Sequence, residues 1–497
     1  MNFFKPSCPQ VYRILAVAAI VAFAQSISLA EDVANWKGVQ AKTTDLMVDA
    51  GGPGYRSIGF ASSMTSNGCH VAKVEGFDGE GMWVRLDGKP GKRYNRISQV
   101  LFSADGTALA YVARQGREEL VVLNDMEGPP FDFVCPETLV LSEREHHVVY
   151  LAQSGPKLRV VVDGKPQDNG IQPYRSAPVL NGEGSRWAFA GNHPVSRKSR
   201  FVTAGDPALF HDGVDPSSFC FSPNGRWCYA AQDGHSWRRV INGVKQASFD
   251  AVGIDFIFSP DGKHYAYTGR RGPESFLVME GKEERGIAGM VDHTLVFSAD
   301  SRRLALAVAN PDKSCYILLD GEAGPACEGI GGNQASANPW TASTFSLLGF
   351  GLAYPFIGFS PDSQCFAYFA RQNGTWKLWL NGKPLPVLMD KPLQGLLFSK
   401  DSKRLAYGGT RGGKAFLVVD GQKGEDYDEL GHFEFSADAK HVAFQATKGP
   451  RCVLVVDGIE RATYASVPAG PVFRTDGALE WIAVAEKTLQ RTVISGF

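Results

Sequence analysis

The residues best suited to chemistry in this chain are cations that recur at one kind of connection. Arg114, Arg270, Arg271, Arg371 and Arg411 each follow an alanine–aromatic pair: Ala110-Tyr111, Ala266-Tyr267, Ala367-Tyr368 and Ala406-Tyr407. Arg117, Lys157, Lys448 and Arg451 fall in comparable places. A guanidinium is a planar fork that binds carboxylate or sulfate through two hydrogen bonds. Several of them on one surface would draw anions in, and salt would weaken that capture. The competing reading is a solvated rim balanced by Asp250, Asp255, Asp292, Asp428 and Glu429, in which each charge contributes little.

Other reactive constellations are scarce. The chain has no Gly-x-Ser-x-Gly elbow, no His-Glu-x-x-His helix, no phosphate-binding lysine loop and no full calcium loop. Glu75 to Gly81 alternates carboxylates and glycines without calcium-loop spacing and reads as a plain loop. His70, His264 and His441 sit near turns in distant segments. His146 and His147 are adjacent in an expected strand, so they point to opposite faces. No metal or cofactor is expected. An enzyme with an acid or base in a central channel, a lyase or hydrolase, is the alternative to a binding module, and no residue pattern names its active site.

Cysteines give two candidate pairs. Closing the hairpin over Ser222 to Arg226 sets Cys220 opposite Cys228, and closing Asp320-Gly321-Glu322 sets Cys315 opposite Cys327. Disulfides require export. Met1 to Ala30 supplies that signal, with Lys5 and Arg13 before an apolar core and small residues at Ser28-Leu29-Ala30. Its loss leaves 49 Lys+Arg of the original 51 against 52 Asp+Glu, a balance that argues against nucleic acid. The expected location is periplasmic or extracellular.

The elements that must position these residues repeat. Phe258 to Lys282 holds a Ser-Pro-Asp-Gly turn, an alternating strand, a break at Arg270 to Pro273, another strand and a Glu-Gly turn. Equivalents of Phe258 are Phe60, Phe102, Leu141, Leu180, Phe221, Phe297, Phe359, Phe398, Phe435 and Phe473, spaced 37 to 42 residues apart except for one gap of 62. The second turn recurs at Asp87, Asp163, Asn242, Asp320, Asn381, Asp420 and Asp457, each followed by the glycine that suits a type I′ hairpin. Sheets of this size with two apolar faces must stack on both sides, which predicts an all-β propeller of about eleven four-stranded blades. Eleven exceeds the usual blade number, so one large ring and two rings both stand open, with two favoured.

The repeated Phe-Ser-Pro-Asp-Gly…Ala-Tyr signature resembles the WD40-like repeats of TolB-type propellers, from Leu46 to the C-terminus. That resemblance implies fold and leaves function open. The organisation read from the chain is a signal peptide (1–30), a polar leader (31–45), blades one to seven (46–330), an uncharged insertion (331–357) and blades eight to eleven (358–497). Residues 47–58 look like half a blade that pairs with the one begun at Phe473. Blade four, across Asn192 to Pro216, lacks the second hairpin signature. In the insertion, residues 345–359 are apolar enough for burial or for contact with a partner or lipid. Together these features point to an exported, non-enzymatic module for a protein, peptide or anionic glycan.

Overall fold

The computed structural model describes residues 40–496 apart from 49–59, 66–67, 78–80, 204–207, 288, 290, 292–293, 332–355, 475 and 486–487. The signal segment, most of the leader and the body of the insertion lie outside the described residues. Those described form no helix; they build eleven consecutive antiparallel sheets, the blades of a β-propeller. No helix among them is long and apolar enough to cross a membrane.

Both turns behave as their residues require. In blade six the Ser259 hydroxyl donates to the Asp261 carboxylate, which accepts the Lys263 N–H, and Gly262 takes a φ of 69°. The same bonds recur from Ser103, Ser298, Ser360, Ser399 and Ser436 to Asp105, Asp300, Asp362, Asp401 and Asp438. The second turns hold Asp87, Asp163, Asn242, Asp320, Asn381, Asp420 and Asp457 at φ 46–53°. A side chain at this position also accepts the first N–H of the second strand, as Asp163 does from Val148 and Asp457 from Val442. Its other oxygen takes the preceding residue: His70, His147, Arg303, Arg404 and His441 bond Asp87, Asp163, Asp320, Asp420 and Asp457 at 2.7–2.9 Å. His146 and His147 therefore lie in a turn and not in the expected strand; His146 bonds Thr107 instead.

The chain divides into two compact units. One runs from Ser98 to Asp426 and carries blades two to nine, apart from part of the insertion. Its blades stack in chain order through apolar faces. Ala110, Val112 and Val121 of blade two, for example, meet Val134, Tyr150 and Val161 of blade three. The first turns of successive blades also touch. Where the fourth turn residue is not glycine, Ser301, Ser363 and Ser402 hold φ 63–64° and accept the N–H of Asp261, Asp300 and Asp362 in the preceding blade. These hydroxyls are inter-blade clasps.

Blade four has its first, second and third strands, the first split in two, and among the described residues no fourth strand. Only a Ser199–His211 bridge stands in for it. In blade eight, Gly329–Ile330 and Ile357–Phe359 both pair with Phe366–Gln372. Gly331 and Phe356 bond the two sides of the Phe369 peptide group, so the insertion leaves and re-enters at one point. Blades three, six, nine and ten carry a register shift in the same strand. The insertion thus interrupts the strand that carries a bulge in those blades. At its end Ile357 is buried, and Phe356 and Phe359 pack against core clusters.

The second unit holds blades one, ten and eleven. Blade eleven takes its fourth strand from the N-terminal side: Gln40–Val48 pairs with Thr488–Ser495, including Met47 with Leu489 and Val48 with Thr488. Pairing starts inside the segment read as a polar leader, and 49–58 lies outside the described residues. Blades ten and eleven pack through Ala443, Leu454, Tyr464 and Trp481. The seam between blades eleven and one is different. Glu480, 1 % exposed, occupies the alanine position of the repeat and pairs with Arg491 at 2.7 Å and Arg474 at 3.2 Å. In blade one, Lys73 takes the place of the usual aromatic. Buried Glu75 bonds Arg85 at 2.9 Å and the Trp83 ring N–H at 3.1 Å.

Candidate functional site

The candidate cations sit on the hairpins joining second and third strands. Arg114, Arg270 and Arg371 occupy one repeat position, opposite Glu119, Ser275 and Trp376. Arg271 and Arg411 come one residue later, opposite Glu274 and Lys414. Successive residues in a strand face opposite ways, so the five form two rows. That split could have been read from the sequence by counting from the alanine–aromatic pair.

Except in blade two, where Asn95 stands at that place, the hairpins of these cations are braced by a carboxylate from the residue just before the first strand. Asp132, Asp212, Asp250, Asp390 and Asp428 accept the hairpin N–H of Gly155, Gly234, Gly272, Gly412 and Gly449 at 2.6–2.7 Å. Glu328 does the same for Gly374 at 3.1 Å. Two of the acids expected to balance the basic rim, Asp250 and Asp428, are therefore engaged with backbone. A charged acceptor on an amide is among the stronger hydrogen bonds, so these tips are held rigidly.

The five arginines differ in freedom. Arg270 and Arg411 are exposed and have no side-chain hydrogen bond or ion pair among the described residues. Arg114 bonds only the Gly116 carbonyl in its own hairpin, at 3.2 Å. Arg371 reaches the Gly374 carbonyl at 3.4 Å and Glu328 at 3.7 Å. Arg271 is a structural residue. It holds Glu283 through two 2.6 Å bonds, donates to the Ser248 carbonyl and lies 4.2 Å over the Phe249 ring. No hydrogen bond or ion pair joins any two of the five, which lie on four blades, Arg270 and Arg271 together on one.

Among the described residues no three His, Cys, Asp or Glu side chains are placed to hold a metal ion. One buried polar chain escaped sequence reasoning. His211 is fully buried, with Nδ1 3.0 Å from Asp233 and Nε2 3.2 Å from the Tyr229 hydroxyl. Burial holds its pKa below the ordinary histidine value, against the opposing pull of Asp233. The cysteines stand in register, Cys220 across from Cys228 and Cys315 across from Cys327, and all four are thiols here.

Several solved structures are similar to the chain at low sequence identity. A eukaryotic initiation factor is 12% identical with a TM-score of 0.39, covering 77% of this chain and 91% of that one. The Dos1 propeller is 11% identical with a TM-score of 0.30, covering 73% and 88%. TolB from Acinetobacter baumannii is 13% identical with a TM-score of 0.24, covering 64% and 78%. No protein-family description and no curated protein matches the chain. These similarities assign it no ligand or activity.

Proposed function

We propose that this propeller is an exported, non-enzymatic binding or scaffolding module whose hairpin arginines hold an anionic surface on a protein, peptide or glycan. The observation that carries the reading is the pairing of free charge with rigid support. Arg270 and Arg411 have no partner among the described residues, and Asp250 and Asp390 brace the tips beside them. Arg114 and Arg371 add two more exposed guanidiniums on equivalent hairpins. A preorganised cation loses little entropy when it captures an anion, which is how loops on a stiff scaffold serve recognition. Arg271 is left out of the set because Glu283 already satisfies it.

The test is binding to arrays of sulfated glycans and glutamate-rich peptides between 50 and 300 mM salt. Arg114, Arg270, Arg371 and Arg411 are then changed together to glutamate. Retained binding should fall steeply with salt and with the substitutions. Binding indifferent to both, or none to either array, overturns the anionic reading. Export is tested separately, by N-terminal sequencing of the protein recovered outside the cytoplasm.

A further inference from the structure

Cys220 and Cys228 are not merely opposite in register. Both lie on the face of blade five that, with its own Phe249, packs against Tyr265 and Tyr267 of blade six. Cys228 is wholly buried, whereas Cys220 is partly exposed. The third strand of the same blade places Arg239 on this face, 1 % exposed, two residues from Ile241, which pairs with Cys228. Arg239 donates to the Gly253 carbonyl of blade six at 2.5 Å and its guanidinium lies 5.4 Å over the Phe256 ring. A buried cation thus stands beside two facing thiols.

Cys315 and Cys327 form the contrasting pair. They exchange two backbone hydrogen bonds at 2.8 Å and are buried among Ala307, Ile317 and Ile330. The Cys327 thiol donates to the Cys315 carbonyl at 3.1 Å. The charged side chains that act on these two thiols are the acids Asp312 and Glu328.

We propose that Cys220 and Cys228 form a thiol–disulfide exchange site, in which Cys220 attacks an external disulfide and Cys228 resolves the adduct, while Cys315 and Cys327 stay inert. Cys220 loses its proton to solvent and its thiolate bonds one sulfur of the external disulfide, expelling one thiolate. Cys228 then loses its proton and attacks the Cys220 sulfur, expelling the second thiolate. Two protein thiols are oxidised to one disulfide, and the external disulfide is reduced to two thiols. The roles follow from the difference in exposure, Cys220 being the partly exposed member and Cys228 the wholly buried one. The electrostatics agree. The hydrogen bond from Cys228, aided by Arg239, keeps the Cys220 thiol below its ordinary pKa against the penalty of burial. Burial pushes Cys228 up, and pushes Cys327 to about 11. Facing residues of an antiparallel pair have Cα atoms about 4.5–5.5 Å apart, inside the range a disulfide spans. The site is independent of the hairpin arginines.

The experiment treats the reduced, folded full chain with bis(2-hydroxyethyl) disulfide and follows intact mass and peptide maps after alkylation. The chain should lose two hydrogens at a single Cys220–Cys228 bridge while Cys315 and Cys327 remain alkylatable. Cys228→Ser should stall as a stable mixed disulfide on Cys220, and Cys220→Ser should leave Cys228 unmodified. Each tenfold gain in thiolate is offset by about a threefold loss in nucleophilicity. Cys220 should therefore react roughly threefold or more faster than Cys315 or Cys327, and Arg239→Lys should retain more of that advantage than Arg239→Met. If Arg239→Met fails to fold, the pH dependence of the Cys220 rate in the unaltered chain decides, with its midpoint expected below that of a free thiol. Attack beginning at Cys228, equal reaction at Cys315, or both thiols free after exhaustive treatment overturns the proposal.

Discussion

Replacing Glu480 by glutamine tests whether a buried charge cluster holds blade eleven together. The substitution keeps shape and removes the anion that Arg491 and Arg474 share. Removing one member of a buried ion pair costs about 3–5 kcal/mol because the partner stays desolvated. Here the arginine side chains are 25% and 24% exposed, so water recovers part of that loss and the lower end, about 3 kcal/mol, is expected. A factor of ten in an equilibrium corresponds to about 1.4 kcal/mol, so local opening of blade eleven should rise roughly a hundredfold. Native-state hydrogen exchange reads this strand by strand. Amides of Leu479–Ala485 and Thr488–Ser495 should exchange roughly a hundredfold faster, and those of Tyr265–Arg271 in blade six should not change. A change below about threefold, or an equal change in blade six, refutes local stabilisation of blade eleven by this charge cluster.

Three further outcomes follow from the same structure. Ser402→Ala should cost about 1 kcal/mol by deleting the clasp to Asp362 while keeping the left-handed backbone, and Ser402→Gly should cost less because it relieves that backbone. Chemical denaturation of both variants checks the order, and a glycine variant less stable than the alanine one contradicts it. His211, with its pKa lowered in the fold, stabilises the protein fully above the ordinary histidine value of 6.5, and that contribution is lost as pH falls through the folded value. His70, raised chiefly by its hydrogen bond to Asp87, contributes fully below 6.5 and loses that contribution as pH rises through its folded value. NMR titration should find the two rings on opposite sides of 6.5. Asp250→Ala should speed exchange of the Gly272 amide several-fold by removing its acceptor, with little effect on Gly412.

Much of this architecture is local and was legible in the residues. Ser259 to Gly262 closes its turn with its own side chains, and Asp163-Gly164 needs only a left-handed backbone that aspartate and glycine tolerate. The period near 40 set the blade number because each blade must bury two faces against neighbours of its own kind. What the sequence left undecided depends on partners far along the chain. Arg270 and Arg271 are adjacent and chemically alike, yet only Arg271 meets Glu283 and Phe249, because alternation along the strand turns the two to opposite sides. Asp250 looked like a counter-charge for the rim until a hairpin 22 residues on presented the Gly272 N–H to it. Gln40 to Asp45 is polar without a strand's alternation, and it becomes a strand because Gln490 to Ser495 supplies its hydrogen bonds. Glu480, Lys73 and Glu75 break the repeat where an apolar residue is expected. Tertiary structure alone shows how each is compensated, Glu480 by Arg474 and Arg491 and Glu75 by Arg85, because a buried charge persists only where the fold brings it a counter-charge.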